Sequence, residues 1–223
     1  MTSLDQRRLD LTRIRWLAPV LRSRWPFVLG RAITLAGFVF TILVGLLGTP
    51  IGGRNFAIIF VWIAWWTVLK LVLMPIAGRS WCSICPIPAV GEWLQQGGVV
   101  RSGKGLGLQL RWPRRLQGQW LQLGGFAVMG LFSAVLLTKP GATGWILLAL
   151  LVAATGLGLV FERRAFCRYL CPIGGYIGWY EQLAPLAVRV RDPEVCKGCA
   201  EKTCYKNCPW GVFPAALKES FDC

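Results

Sequence analysis

The sequence predicts an all-α membrane protein with four transmembrane helices in two tandem hairpins, followed by a small cysteine-rich cytoplasmic tail. Three observations support this fold class. Apolar residues make up 55% of the chain and charged residues 16%, four long apolar runs interrupt the polar sequence, and the formal net charge of +15 lies mostly between those runs. Basic flanks around apolar runs are typical of membrane proteins and argue against nucleic acid as a partner.

The four apolar runs cover about residues 27–47, 57–77, 120–137 and 145–161. A helix needs about 20 residues to cross the hydrocarbon core of a bilayer, so each run is a candidate span. Short turns at residues 48–53 and 139–144 join the runs in pairs and predict two tight hairpins. Arg31 and Lys70 lie within spans, where their long side chains can reach the interface or, for Lys70, face a quinone or cluster pocket.

The positive charges predict the orientation. Of the 25 Lys and Arg residues, 21 lie in the N-terminal arm, the loop 79–119 or the tail that begins at Glu162, whereas the two short turns hold only Arg54 and Lys139. Basic segments stay on the cytoplasmic side of the membrane. Both termini and the middle loop are therefore expected in the cytoplasm of a multi-pass bacterial inner-membrane protein, with lipid as an obligatory partner.

Three regions follow from this pattern. Residues 1–24 form a basic cytoplasmic arm without the features of a removable signal peptide. Residues 25–184 form the transmembrane domain, including the cytoplasmic loop 79–119. Residues 185–223 have no sustained apolar period, so a bound centre must order that segment.

The chain has nine cysteines and no histidine. Bis-histidine haem and histidine-ligated catalytic zinc are excluded for this chain alone. An odd number of cysteines in close groups also argues against a simple disulfide framework. Thiolate ligation of a metal or cluster is the leading interpretation.

Two cysteine motifs repeat at the ends of the two hairpins. The first reads Arg79-Ser-Trp-Cys82-x2-Cys85-Pro-Ile, and the second reads Arg164-Ala-Phe-Cys167-x3-Cys171-Pro-Ile. A tryptophan, Trp93 or Trp179, follows the second cysteine of each motif by eight residues. Two parallel copies related by an axis along the membrane normal would bring both pairs to the cytoplasmic face.

The four motif cysteines, Cys82, Cys85, Cys167 and Cys171, are candidate ligands of a cluster or another metal, forming a second site. Neighbouring arginines are expected to favour thiolate over thiol. Two alternatives remain open. The cysteines can be small buried residues before an interfacial helix, or they can form a thiol–disulfide relay, which the reducing cytoplasm disfavours.

The tail carries the most specific pattern, Cys196-x2-Cys199-x4-Cys204-x3-Cys208-Pro. Ferredoxin-like cysteine runs of this kind hold [4Fe-4S] clusters through thiolates. The alternative is a structural zinc site, which more often uses two separated C-x2-C pairs. We expect at least one cluster on these four cysteines, with Cys223 as a ligand of a second cluster if the segment is a truncated two-cluster ferredoxin.

Short hairpins, repeated Cys-x2/3-Cys-Pro motifs and a cysteine-rich tail resemble the NapH/NosR-type membrane iron–sulfur proteins, which are polyferredoxin-like and bind 4Fe-4S clusters. The stretch from Phe166 to Gly174 carries the resemblance most closely, and about residues 25–223 are covered. The first motif departs from the commoner three-residue gap.

The resemblance implies a membrane-anchored electron carrier between the quinone pool or a cytoplasmic donor and a partner oxidoreductase or maturation system. Such a protein is the electron-transfer component of an oxidoreductase system, with redox proteins and quinol or quinone as partners, and no catalytic residues are assigned. Two other functions stay open: a non-catalytic metal-binding assembly or regulatory protein, and a membrane thiol–disulfide oxidoreductase.

Overall fold

The computed structural model describes residues 14–15, 17–99, 104–181 and 198–200, and within them it is mostly helical without strands. The helices of these residues, in chain order, are α1 (Leu17–Arg22), α2 (Trp25–Leu47), α3 (Phe56–Ile76), α4 (Ala89–Gln96), α5 (Trp120–Leu131), α6 (Ser133–Thr138), α7 (Pro140–Val160) and α8 (Pro172–Glu181). Tighter three-residue-per-turn helices lie at Gly52–Arg54, Gly78–Ser83 and Arg114–Leu116.

Three helices are long and apolar enough to cross a membrane: α2 with 23 residues, and α3 and α7 with 21 residues each. Helices of this length span about 32–35 Å at 1.5 Å per residue, and most of their apolar side chains face outward, as lipid contact requires. The expectation of a helical membrane protein is thus confirmed. Most of the arm 1–24 and of the tail 185–223 lies outside the described residues.

The third apolar run differs from the expected single span. It forms two shorter helices, α5 and α6, which meet at Phe132, where φ is −91° and ψ is 11°. With ψ near zero, the Phe132 backbone leaves the α-helical range. The apolar composition of this run could not indicate the break, because neither Gly nor Pro occupies it.

The turn expected at residues 139–144 is also shorter than the sequence indicated. Helix α7 begins at Pro140 and includes most of that segment. Proline favours the first position of a helix, because its φ is already helical and the missing N–H would have no partner there. The link between α6 and α7 is therefore Lys139 alone.

The first and last long helices pack closely against each other. A Cβ atom at Gly45 would lie 3.2 Å from the Gly144 Cα atom, so α2 and α7 approach nearly backbone to backbone. Small residues allow such contacts between membrane helices. Trp62 of α3 joins the same region, since its indole N–H donates to the Thr143 hydroxyl at 3.0 Å.

The middle loop packs along the end of α7. The Leu110 amide donates to the Val160 carbonyl at 3.0 Å, and the Glu162 amide donates to the Leu110 carbonyl at 2.9 Å. Two residues later, the Trp112 ring stacks on Tyr169 with 5.4 Å between the ring centroids. This part of the basic loop thus contacts the second cysteine motif.

Candidate functional site

The first cysteine motif is a tight turn. Gly78–Ser83 form a 3-10 helix, in which the Ile84 amide donates to the Trp81 carbonyl at 3.0 Å. Such a turn closes over three residues. Cys82 therefore lies within the 3-10 helix, and Cys85 follows it directly before Pro86.

The second motif is a wider turn built from the equivalent residues. Phe166–Leu170 form a π-helix, and the Cys171 amide donates to the Phe166 carbonyl, five residues earlier, at 2.8 Å. Phe166 stands one residue before Cys167, as Trp81 stands one residue before Cys82. The π turn thus accommodates the extra residue between Cys167 and Cys171, and both motifs continue into a helix after a proline.

The two motifs meet beside the end of α7. Cys85, Cys167 and Cys171 pack against one apolar cluster that contains Ile87, Ala154 and Phe166. Cys82 packs on the neighbouring cluster with Trp65 and Trp81, and it interacts electrostatically with both Cys85 and Cys167. We call these four cysteines, Cys82, Cys85, Cys167 and Cys171, the cysteine quartet.

Two side chains of α2 hold the first motif in place. Arg31 Nε donates to the Ser83 carbonyl and the Thr34 hydroxyl donates to the Ile84 carbonyl, each at 2.6 Å. The Ser83 carbonyl needs this donor, because its partner three residues on would be Pro86, which lacks an N–H. Arg31 therefore binds the motif rather than extending to the interface.

One side chain of α5 does the same for the second motif. Gln122 is buried, and its amide nitrogen donates to the carbonyls of Cys167 at 3.1 Å and Arg168 at 2.9 Å. The α-helical partner of the Arg168 carbonyl would be Pro172, which has no N–H to donate. A Cβ atom at Gly175 would lie 3.1 Å from the Gln122 Cβ atom, so the contact is close.

A buried carboxylate connects the two motifs. Glu92 of α4 is 4% exposed and accepts from Arg31 at 2.7 Å and from Arg164 Nε. Arg164 stands three residues before Cys167 and has a φ of 55°, a conformation uncommon outside glycine. We call Arg31, Glu92 and Arg164 the charge triad.

The pKa directions correct one expectation. Burial and the neighbouring thiols raise the pKa of Cys85 and of Cys167, although the Arg164 charge acts in the opposite direction. Burial also raises the pKa of Cys171. The prediction that nearby arginines favour thiolates was wrong for the protein without a bound centre, because desolvation of the thiolate outweighs the arginine charge.

The quartet offers the donor type that iron–sulfur clusters use. Among the described residues, no three cysteine or acidic side chains converge closely enough to hold one metal ion. Four thiolates around one Zn²⁺ would stand within about 4 Å of each other at Zn–S distances of ~2.3 Å. An iron–sulfur cluster instead takes one cysteine on each of several irons, and four adjacent thiols supply that ligand set.

The tail site lies almost entirely outside the described residues. Cys196, Cys204, Cys208 and Cys223 fall in the part not described, and Cys199 is exposed. Their assignment as cluster ligands stays a prediction.

Lys70 contacts aromatic rings within the described helices. Its Nζ lies 4.9 Å from the Trp66 ring centroid and 6.0 Å from that of Tyr176, and Tyr176 stacks on Phe126 at 5.4 Å. Cation–π contacts of this kind stabilise a cation in apolar surroundings. They account for a lysine at this depth without a ligand pocket.

Sequence reasoning missed Gln122 and Glu92 as supporting residues. For Glu92 the available signal was the scarcity of acidic residues. The chain has only ten Asp and Glu against 25 Lys and Arg, so an acidic residue near a cysteine motif is a candidate partner for an arginine. Glu92 follows Cys85 by seven residues and precedes Trp93, so its position lies within the repeated unit, although the second copy has Gly178 there. Gln122 had a weaker signal, a polar residue in an otherwise apolar run.

Comparison with known proteins gives a family match. A 4Fe-4S binding domain family matches residues 58–115 and 143–191. These two segments contain the whole cysteine quartet and end before Cys196.

Several curated proteins are similar to the chain. The methylamine utilization ferredoxin-type protein MauN of Paracoccus denitrificans is 26% identical over 159 residues, which are 64% of this chain and 52% of that protein. The ferredoxin-type protein NapH of Haemophilus influenzae is 33% identical over 69 residues, 31% of this chain and 22% of that protein. The putative electron transport protein YccM of Escherichia coli is 46% identical over 50 residues, 22% of this chain and 13% of that protein.

The chain thus spans about half the length of the MauN protein it matches. No solved structure matches the chain.

Proposed function

We propose that the chain, which is similar to ferredoxin-type proteins such as MauN and NapH, is a membrane iron–sulfur protein of the NapH type that binds a 4Fe-4S cluster and transfers electrons at the membrane. The electrons pass between the quinone pool or a cytoplasmic donor and a partner oxidoreductase or maturation system. One observation carries the proposal: the residues matched by the 4Fe-4S family contain two cysteine pairs that meet at the ends of membrane-length helices.

The cysteine quartet holds the cluster in this proposal. Support comes from the four adjacent thiols, from the match of the family to both motifs, and from the hydrogen bonds that position each motif. Cys196, Cys199, Cys204 and Cys208 form a separate site for a second cluster. Electrons then enter or leave the membrane site through the tail.

The protein's own residues prepare the site for redox work. When bound, a cluster of this type stores one electron at a potential set by charge, hydrogen bonds and solvent exposure. Ile87, Ala154 and Phe166 exclude water from one side of the quartet. Gln122 and Arg31 hold the two turns, so that little rearrangement accompanies a change in charge.

The proposed topology has four crossings with both termini in the cytoplasm. Helices α5 and α6 together form the third crossing, since residues 120–138 reach about 28 Å at 1.5 Å per residue. The distribution of Lys and Arg supports the orientation. Reporter fusions after Thr49 and after Cys223 test it: activity of a periplasmic reporter is expected only after Thr49, and the reverse result would overturn the orientation.

Cysteine variants test the cluster assignment. After anaerobic purification, iron and acid-labile sulfide are measured in the full chain, in Cys82→Ser/Cys167→Ser and in Cys199→Ser/Cys204→Ser. We expect the first double variant to lose the membrane-site cluster and the second to retain it. Full iron and sulfide in the first variant, or zinc without labile sulfide in the full chain, would refute the assignment.

The thiol–disulfide alternative has less support. Reactive cysteines usually have a lowered pKa, whereas burial raises the pKa of Cys85 and Cys167. A metal-delivery or assembly role differs from electron transfer by its redox behaviour, because structural zinc does not change oxidation state. A reversible one-electron reduction potential with the EPR signal of an iron–sulfur cluster therefore favours the electron carrier over both alternatives, because a thiol pair is oxidised by two electrons.

A further inference from the structure

The charge triad is placed where its net charge can act on the cysteine quartet. Arg164 and Glu92 are both 4% exposed. Glu92 forms ion pairs with two arginines, Arg31 of α2 and Arg164, which leads into the second motif. Charges are removed from water at a cost of several kcal/mol each unless they are paired. The packing of α4 alone does not explain why three buried or part-buried charges lie beside the cysteine quartet.

Arg164 connects the triad to the thiols. Its charge acts on Cys82, Cys85 and Cys167, that is, on both motifs at once. Burial lowers the pKa of Arg164, but the Glu92 carboxylate raises it above the ordinary value, so the guanidinium stays charged. Because Glu92 offsets one of the two arginines, the triad contributes a net charge of about +1 beside the quartet.

The second half of the repeat has no glutamate at the position of Glu92. Arg79 stands three residues before Cys82, as Arg164 does before Cys167, and its guanidinium lies against Gly178 of α8. Gly178 follows Cys171 by seven residues, the position that Glu92 has after Cys85. The two halves thus differ at this sequence position, with a carboxylate in one and a glycine in the other, so Glu92 is specific to one half rather than a requirement of the repeated fold.

We propose that Glu92 and Arg164 set the reduction potential of the cluster on the quartet, Arg164 by stabilising the added electron and Glu92 by limiting that effect. The inference rests on the proposed function, since it needs a cluster at the quartet. One electron enters the cluster from a chemical reductant, and no bond forms or breaks. Both residues are positioning residues, as they act through their charge and touch no reacting atom.

Opposite shifts are expected from the two partners of the same ion pair. Arg164→Gln removes a positive charge and should make the cluster harder to reduce, whereas Glu92→Gln removes a negative charge and should make it easier to reduce. Each change is expected to alter the ratio of reduced to oxidised cluster at a set potential about tenfold, which for one electron corresponds to about 59 mV. If the two substitutions only loosened the structure, they would not shift the reduction potential of the cluster in opposite directions.

The test is a redox titration followed by EPR on anaerobically purified full chain carrying Cys199→Ser/Cys204→Ser, so that only the quartet contributes a signal. Arg168→Gln is the matched control, because this exposed arginine of the same motif is screened by solvent. Arg164→Lys retains the charge and should keep the potential near that of the parent. Iron and labile sulfide are measured in every sample.

The outcomes separate the inference from the proposed function. Absence of iron and sulfide from the parent protein refutes the cluster at the quartet itself. A loaded cluster whose potential is the same in Arg164→Gln and Glu92→Gln, or shifts in one direction in both, overturns the role of the pair. If either variant fails to load a cluster, Arg31→Gln provides the test instead. A reduction potential that falls, but by less than is expected for Arg164→Gln, supports the inference, and an unchanged reduction potential overturns it.

Discussion

Removal of the Gln122 amide should loosen the second cysteine motif without changing any cysteine. Gln122→Met keeps the length of the side chain but removes the N–H groups that reach the Cys167 and Arg168 carbonyls at 3.1 and 2.9 Å. Pro172 offers no N–H to replace them. The Cys167 and Arg168 carbonyls of the π turn would therefore lose the hydrogen bonds that the buried Gln122 side chain donates to them.

The expected loss of stability follows from these two hydrogen bonds. A buried group left without its partner costs about 1–3 kcal/mol. At the lower end of that range, the two carbonyls that Gln122 serves cost about 2 kcal/mol together. In a chain of 150–250 residues this energy lowers the melting temperature by about 4–8 °C.

The measurement is the fraction of detergent-solubilised protein that stays monodisperse after heating. Gln119→Met is the matched control, because Gln119 is exposed just before α5 and its side chain caps no amide. We expect the control to melt like the parent and Gln122→Met to melt several degrees lower and to load less iron. Equal melting temperatures for the two variants would refute the role of Gln122.

Other predictions concern helix packing and thiol reactivity. Gly144→Leu should destabilise the protein by about 1–3 kcal/mol through overpacking, because a Cβ atom there would lie 2.9 Å from the Leu46 side chain. Gly141→Leu is the control in the same melting assay, because a Cβ atom at Gly141 would lie in open space. In protein without a cluster at pH 8, we expect alkylation of the exposed Cys199 to be at least about tenfold faster than that of Cys167, whose pKa is raised by burial; peptide mapping measures both, and equal rates would contradict the burial argument. The same raised pKa means that the folded state holds the Cys167 proton more tightly than the unfolded chain, so unloaded protein should lose stability as the pH rises above about 9, which melting curves at increasing pH would show.

The long helices could be predicted because their signal is local. An apolar run of about 20 residues predicts a span whatever surrounds it, and α2, α3 and α7 agree with the predicted runs to within a few residues, apart from the earlier start of α7. The break at Phe132 has no such signal, because neither Gly nor Pro marks it.

The supporting residues of the site could not be predicted for a related reason. Gln122 and Arg31 act on carbonyls 45 to 52 residues away in sequence, and only the fold brings them together. The direction of the thiol pKa shifts depends on burial in the same way. Neighbouring arginines suggested thiolates, but the apolar cluster around Cys167 has the larger effect.

The difference in length between the two motifs has a consistent structural explanation. Two residues separate Cys82 from Cys85, and the chain uses a turn closed over three residues; three residues separate Cys167 from Cys171, and the chain uses a turn closed over five. In each case a helix that precedes the motif in the chain, α2 or α5, supplies donors to carbonyls within the turn. Because the prolines after the second cysteines remove backbone donors in both copies, each motif needs side-chain donors. Arg31 and Thr34 of α2 serve the first motif, and Gln122 of α5 serves the second.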